Sequence, residues 1–195
     1  SVYELLIGTK FFDEVVQHAE SGFDVLPSNR ELAGAEVELV GMKDRDARLR
    51  VVLDAVRDRY DYVLIDCPPS LSMMTMNALC AADGVVIPMQ CEYFALEGLT
   101  DLVGSVRRVH AELRIITLLR VMFDPRITLQ QQVSEQLIKH FGDKVFETII
   151  PRNVRLAEAP SYGKPGVVYD RSSKGAKAYL ACADELIARM EGKRA

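Results

Sequence analysis

Tyr62-Val-Leu-Ile-Asp66-Cys-Pro-Pro-Ser70 places one carboxylate at the end of an apolar run and stops the chain directly after it with two prolines. An apolar run of this length closed by proline predicts a buried strand. In a parallel sheet, ligands gather at the carboxyl ends of the strands, which puts Asp66 at the rim and not in the core. Two readings of Asp66 are open at this point: a Walker B carboxylate, or an acid that caps the loop or helix after the strand.

Outward from this stretch, Gly84 to Pro88, Ile115 to Phe123 and Val145 to Ile150 are further apolar runs, closed by Pro88, Asp124-Pro125 and Pro151. Helical stripes separate them. Leu96, Leu99, Leu102, Val103, Val106, Val109 and Leu113 form one, Leu129, Val133, Leu137 and Phe141 a second that closes at Gly142, and Tyr179, Ala183, Leu186, Ile187 and Met190 a third. Leu49, Val52, Val56 and Tyr60 predict a helix leading into Tyr62, and Leu71 to Ala82 favours helix with its methionines used mainly in the core. At the front, Ser1-Val-Tyr-Glu4 is a capping-box pattern for a short helix ending at Gly8, and Phe11 to Ala19 reads as a helical turn or two. Phe23 to Pro27 reads as a short strand, and Glu31 to Val40 is ambiguous. Arg152 to Tyr169 has no period and contains Pro160, Gly163, Pro165 and Gly166, which predicts a long loop with one helical turn. Strands alternating with helices point to an α/β fold, a mainly parallel sheet with helices on both faces.

At 195 residues, with 49% hydrophobic and 27% charged residues of interspersed sign, a single globular domain over 1–195 is expected and extensive disorder is not. No apolar run approaches the roughly 18 residues of a membrane span and no signal-like segment opens the chain, so a cytoplasmic location without a membrane partner is expected. Cys67, Cys80, Cys91 and Cys182 show no metal-ligand or disulfide spacing and read as reduced, mostly buried thiols. The net charge of -4 speaks against nucleic acid, yet the distribution is lopsided. Residues 1–40 are strongly acidic, whereas residues 151–177 carry Arg152, Arg155, Lys164, Arg171, Lys174 and Lys177 against only Glu158 and Asp170. A basic surface on an acidic protein is therefore expected.

Three runs end in Asp66, Gln90 and Asp124, and a fourth in Pro151-Arg152-Asn153, so polar groups collect where a doubly wound fold binds its ligand. That pattern suits a nucleotide and also suits any protein of the class, because strands must become polar as they leave the core. The phosphate-cradling patterns G-x-x-x-x-G-K-[ST] and G-x-G-x-x-G do not occur, and Gly163-Lys164 is followed by Pro165, which lacks the N–H a phosphate loop needs.

The run Tyr62 to Leu71, Asn77-Ala-Leu79, Gln90-Cys-Glu-Tyr-Phe-Ala-Leu-Glu-Gly98 and, above all, Ile150-Pro-Arg-Asn-Val-Arg-Leu-Ala-Glu-Ala-Pro160 resemble the ParA/Soj partitioning ATPases, relatives of MinD. The resemblance runs from about Ser1 to Met190. It implies a P-loop NTPase-like fold of which the N-terminal strand or strands and the deviant Walker A loop are missing here, as in a fragment. It also implies that Asp66 is the Walker B carboxylate associated with Mg²⁺, that Pro68, Pro69 and Ser70 belong to a switch sensing the γ-phosphate, and that Met122, Phe123, Asp124, Pro151 and Asn153 wall the adenine. Arg126 and Arg155 resemble arginines that touch DNA phosphates, although each has a local acid available to it, and the remaining basic residues of 151–177 are weaker candidates.

The implied activity is an ATP-driven switch: ATP and Mg²⁺ close a homodimer that coats DNA nonspecifically at the nucleoid, and a ParB-like centromere-binding partner stimulates hydrolysis. Without a glycine loop, this chain alone is expected to bind ATP weakly and to hydrolyse it negligibly. The alternatives are a non-catalytic DNA- or partner-binding module and a MinD-like ATPase, the latter disfavoured because the end at Lys193-Arg194-Ala195 adds no basic amphipathic segment.

Overall fold

The computed structural model describes residues 1–68, 70–109, 113 and 115–192, with Ile115 described by its backbone alone. These residues fall into two compact units, the first of 1–84 with 106–113 and the second of 85–105 with 114–195. The C-terminal residues 193–195 invoked against a membrane role lie outside the described residues. No helix among the described residues is long and apolar enough to cross a membrane.

In chain order, the first unit contains α1 (Val2–Ile7), α2 (Phe12–Val15), β1 (Gln17–His18), β2 (Asp24–Val25), α3 (Leu32–Val40), α4 (Arg48–Asp54), a 3-10 turn at Arg57–Arg59 and α5 (Met73–Ala81). α1 starts after Ser1 and stops at Gly8 with φ +81°, as the sequence indicates, but the capping box is not formed: the Ser1 hydroxyl donates to the Glu4 carboxylate at 2.6 Å and caps no helix N–H. Helical structure ends earlier than expected, at Val15. Beyond it Gln17 and His18 pair antiparallel with Val25 and Asp24, a hairpin turned at Gly22 with φ +87°. The ambiguous stretch is α3, whose Ala35 and Leu39 join Leu6 and Leu49 in the core. Met73 and Met74 pack against the same cluster, as their expected core role requires. Asn77, 1% exposed, ties this unit together: its Oδ1 accepts the Leu49 N–H at 3.1 Å while its Nδ2 donates to the Arg45 and Met73 carbonyls at 2.8 and 3.1 Å.

The strand expected at Tyr62 to Asp66 is not formed. The segment has no ladder partner among the described residues, and Tyr62, Val63 and Leu64 are 42%, 49% and 85% exposed. A run that is apolar on both faces is buried only where neighbouring strands pair its backbone and helices cover it. Here only Ile65 is held, against the Leu6 and Leu49 cluster.

β3 (Gly84–Met89) and α6 (Ala95–Val109) lead into β4 (Ile115–Phe123), α7 (Thr128–Phe141), β5 (Val145–Pro151), α8 (Val154–Glu158), α9 (Gly166–Tyr169) and α10 (Lys174–Glu191). β3, β4 and β5 form a parallel sheet in that order, which gives the α/β architecture read from the sequence. Leu119, Phe146, Ile150 and Cys182 form the core of the second unit, with Val121, Leu156, Ala178 and Leu186 around them. Truncating a fully buried phenylalanine such as Phe146 costs about 3–5 kcal/mol.

Polar groups complete this core. Arg120 on β4 is 5% exposed and donates to the Ser134 hydroxyl at 2.8 Å and to the carbonyls of Phe146 and Glu147 at 2.6 and 3.2 Å, while its Nε has no partner among the described residues. Desolvation lowers its pKa. Glu185 on α10 accepts the backbone N–H groups of Glu147 and Thr148, each at 2.9 Å. Arg189, 4.9 Å over the Phe146 ring, donates to Glu185 at 2.7 Å and to the carbonyls of Asp143 and Val145.

The expected loop from Arg152 to Tyr169 is instead α8, a 3-10 turn at Ala159–Tyr162 and α9. Asn153 caps α8 by accepting the Leu156 N–H at 3.2 Å, Pro160 sits in the first turn of the 3-10 segment, and Pro165 precedes α9. Proline at a helix start loses no hydrogen bond, so here the prolines punctuate short helices and do not abolish them. The thiols are free, but Cys67 is exposed, so its expected burial fails.

Candidate functional site

The ends of β4 and β5 build the site. β4 carries an irregularity before its end: Arg120 pairs with Ile149 and Phe123 with Pro151, so one extra residue is accommodated in β4. Met122 takes it up at φ +54°, a left-handed conformation uncommon outside glycine. The pairing then brings Met122, Phe123 and Asp124 beside Pro151, and the Arg152 N–H closes on the Phe123 carbonyl at 3.2 Å. The five residues expected to wall an adenine, with Asn153 at the start of α8, are therefore gathered at one rim.

Asp124 is fixed there by its own neighbours. Its carboxylate accepts the Arg126 guanidinium at 2.9 and 2.7 Å and the Arg126 backbone N–H at 3.0 Å, and its own N–H donates to Gln130 at 2.7 Å. The Arg126 side chain, its backbone N–H and the more distant Arg152 hold the Asp124 carboxyl down at about 2. Asn153 uses Oδ1 for its cap, and its Nδ2 has no hydrogen-bond acceptor among the described residues. The rim thus offers an apolar plate, a fixed anion and a free amide donor.

α8 sits against the start of α10 through Gly175. A Cβ there would meet Leu156 Cδ1 at 2.5 Å and the Asn153 Cβ at 3.0 Å, so only glycine permits this approach. Sequence reading missed Gly175 as a site-supporting residue; a glycine inside a helical pattern was the available signal.

Asp66, Pro68 and Ser70 belong to the first unit, and Pro69 lies outside the described residues. Asp66 is exposed and makes no hydrogen bond or ion pair among the described residues. Although Cys67 is exposed overall, partial desolvation of its sulfur and then the Asp66 charge push the thiol up. The Ser70 carbonyl accepts the Thr75 hydroxyl at 2.5 Å, and the buried Ser72 Oγ at the start of α5 has no partner among the described residues.

The two arginines expected on DNA are both engaged: Arg126 with Asp124, and Arg155 with Glu158 at 3.0 Å and Asp170 at 3.5 Å. Tyr162 and Tyr169 stack beside this network at 4.9 Å, and the Tyr169 hydroxyl donates to Glu158. Lys164, Arg171, Lys174 and Lys177 are exposed and form no ion pair among the described residues.

A sequence model of a family described as AAA domain matches residues 1–121. The sporulation initiation inhibitor protein Soj of Bacillus subtilis is 48% identical over 192 residues, covering 96% of this chain and 76% of Soj. The chain belongs to the ParA/Soj family. The chromosome partitioning protein ParA of Caulobacter vibrioides, another member, is 45% identical over 202 residues, covering 100% of this chain and 76% of its own length. Among solved structures, cobyrinic acid a,c-diamide synthase from Mycobacterium smegmatis with bound ATP analog and magnesium superposes with a TM-score of 0.83 and 30% identity, covering 97% of this chain and 72% of that one.

Proposed function

We propose that this ParA/Soj-family chain is an ATP-dependent switch of DNA segregation, its two units being parts of one nucleotide-binding domain. The observation that carries the reading is the convergence of Met122, Phe123 and Asp124 with Pro151 and Asn153 at the ends of two paired parallel strands. Phe123 and Pro151 present apolar surface to a base, and the Asn153 Nδ2 donates to a ring nitrogen of it. The free carboxylate of Asp66 suits a hard cation, which binds oxygen ligands and keeps most of its water. Bound Mg²⁺ would supply charge neutralisation on the phosphates. The Ser72 hydroxyl beyond Pro68 and Ser70, buried and without a partner among the described residues, supports a switch role, since such a donor is ready for an acceptor.

In this reading the nucleotide-bound form pairs with a second copy and holds DNA without sequence readout, and a ParB-like partner accelerates hydrolysis. The cytoplasm, at the nucleoid, is the place of action. Arg126 and Arg155 reach phosphates by exchanging their carboxylates, while Lys164, Arg171, Lys174 and Lys177 are free to do so at once. Those unpaired cations also favour a second reading, a DNA-binding module that acts without catalysis.

Titration with a fluorescent ATP analogue and Mg²⁺ tests the proposal, using Asn153→Asp, which keeps the cap acceptor and removes the amide donor. Weak binding that falls about tenfold in the variant is expected, with negligible turnover by the chain alone. Equal affinity in both proteins overturns the adenine wall, and brisk hydrolysis abolished by Asp66→Ala overturns the expected need for a glycine loop. Gel shifts of random duplex at two salt concentrations separate the second reading: DNA binding that survives without nucleotide supports it.

A further inference from the structure

A cavity of about 470 Å³ opens within the second unit, where the ends of α7 and α10 meet the start of β5. That volume is in the range of small-molecule sites. Arg120 lines the cavity and is 5% exposed, yet its guanidinium pairs with no carboxylate among the described residues. The Ser134 hydroxyl and two β5 carbonyls occupy its Nη groups and leave the Nε–H unused. Buried charges are ordinarily matched by an opposite charge, so Arg120 is a cation that lacks its counter-ion. Arg189, also in the lining, is not in this state, because Glu185 neutralises it at 2.7 Å. The mouth carries the opposite sign. Asp143 and Glu147 line the cavity, are exposed and form no ion pair among the described residues, and Ile138 adds an apolar wall.

We propose that this cavity binds a small zwitterion, its carboxylate on the Arg120 Nε–H and its ammonium at Asp143 and Glu147. The chemistry selects this ligand over simpler ones. A carboxylate supplies both the acceptor that Nε lacks and the charge that Arg120 lacks, in one charge-assisted hydrogen bond. A bare anion has to pass two carboxylates at the mouth, and a phosphate brings them a second negative charge. An amine alone satisfies the mouth and leaves the buried cation as it was. A water satisfies the hydrogen bond but not the charge. Every lining residue belongs to the second unit, and none is shared with the rim of Met122, Phe123, Asp124, Pro151 and Asn153, so the site goes beyond the nucleotide switch. An occupant braces α7, β4 and β5 through the guanidinium that already joins them.

Proton–nitrogen NMR of the full chain without nucleotide tests this, following the Arg120 Nε–H signal, assigned by through-bond correlation to its own side chain. Glycine, γ-aminobutyrate and ε-aminocaproate space the two charges by increasing lengths, while acetate, propylamine and inorganic phosphate each carry one sign. Saturable movement of the signal is expected with at least one zwitterion, at an affinity at least about tenfold above that of acetate, propylamine or phosphate. Asp143→Asn with Glu147→Gln, both at exposed positions, should bring that zwitterion to within about twofold of acetate. Arg120→Met should abolish the binding by calorimetry; if that variant fails to fold, the paired mouth variant decides. The controls Glu20→Gln and Glu135→Gln, exposed acids elsewhere, should leave the affinity within about twofold. An Nε–H signal that no zwitterion moves overturns the proposal, as does acetate or phosphate binding as tightly as the best zwitterion. Full zwitterion preference in the paired mouth variant overturns it too.

Discussion

Replacing Glu185 by glutamine tests how β5, and with it the Pro151 to Asn153 rim, is held. One Glu185 oxygen accepts the Glu147 N–H and the other the Thr148 N–H, both at 2.9 Å, and the first also takes Arg189. Hydrogen bonds to a charged group contribute about 1.5–3 kcal/mol each, and a buried donor left without a partner costs about 1–3 kcal/mol. Glutamine keeps one acceptor at neutral strength and turns an NH₂ toward the other N–H. A loss of about 2 kcal/mol follows. For a chain of this size that corresponds to a melting temperature lower by about 4–8 °C, measurable by circular dichroism at pH 7.

The pH dependence supplies a second reading of the same variant. Burial acts to raise the Glu185 pKa, but the Thr148 and Glu147 N–H groups and Arg189 outweigh it and hold the carboxyl below its ordinary value. Stability from a depressed carboxylate is complete above its unfolded pKa, about 4.3, and is lost as pH falls through the folded value. The difference between wild type and Glu185→Gln should therefore narrow below about pH 4. A melting shift under about 1 °C at neutral pH, or a difference that widens on acidification, would refute the reasoning.

Gly175→Ala should lower stability by about 1–3 kcal/mol in urea unfolding and weaken nucleotide-analogue binding, because its Cβ drives Leu156 and Asn153 outward. At Met122 the backbone conformation decides: valine should destabilise by about 1–2 kcal/mol, whereas glycine should be tolerated within about 1 kcal/mol, both read as denaturation midpoints. Arg126→Ala removes the partner that holds Asp124 near 2, so the Asp124 carboxyl should titrate closer to its ordinary range in a carbon-detected NMR pH series. Unchanged titration would show that Arg152 and the backbone suffice.

The second unit was readable because its signals are local. The Leu96 to Val109 and Leu129 to Phe141 stripes, and the proline-closed runs of β3, β4 and β5, each specify an element without outside help. The rim followed, since the strand ends fall where Phe123 and Pro151 pair. Tyr62 to Asp66 was misread because its strand character depends on ladder partners, which no property of the five residues supplies. The short helices between Arg152 and Tyr169 were hidden by prolines that begin helices as readily as they end them. Pairing of Arg126 with Asp124 was within reach of sequence, two residues apart, but the Gly175 contact with Leu156 joins positions that only the fold brings together.

Arg120 gives the irregular β4/β5 pair something that its ladder does not. Register shifts on both sides of Arg120 leave the backbone hydrogen bonds a poor guide to alignment. A planar guanidinium wedged between the Ser134 hydroxyl on α7 and two successive carbonyls of β5 fits one alignment only. It works as a dowel through three elements: a slip by one residue would strand a buried charge. An apolar replacement of equal volume could pack as well and remove the orphan Nε, yet the strands would then be free to settle in more than one alignment.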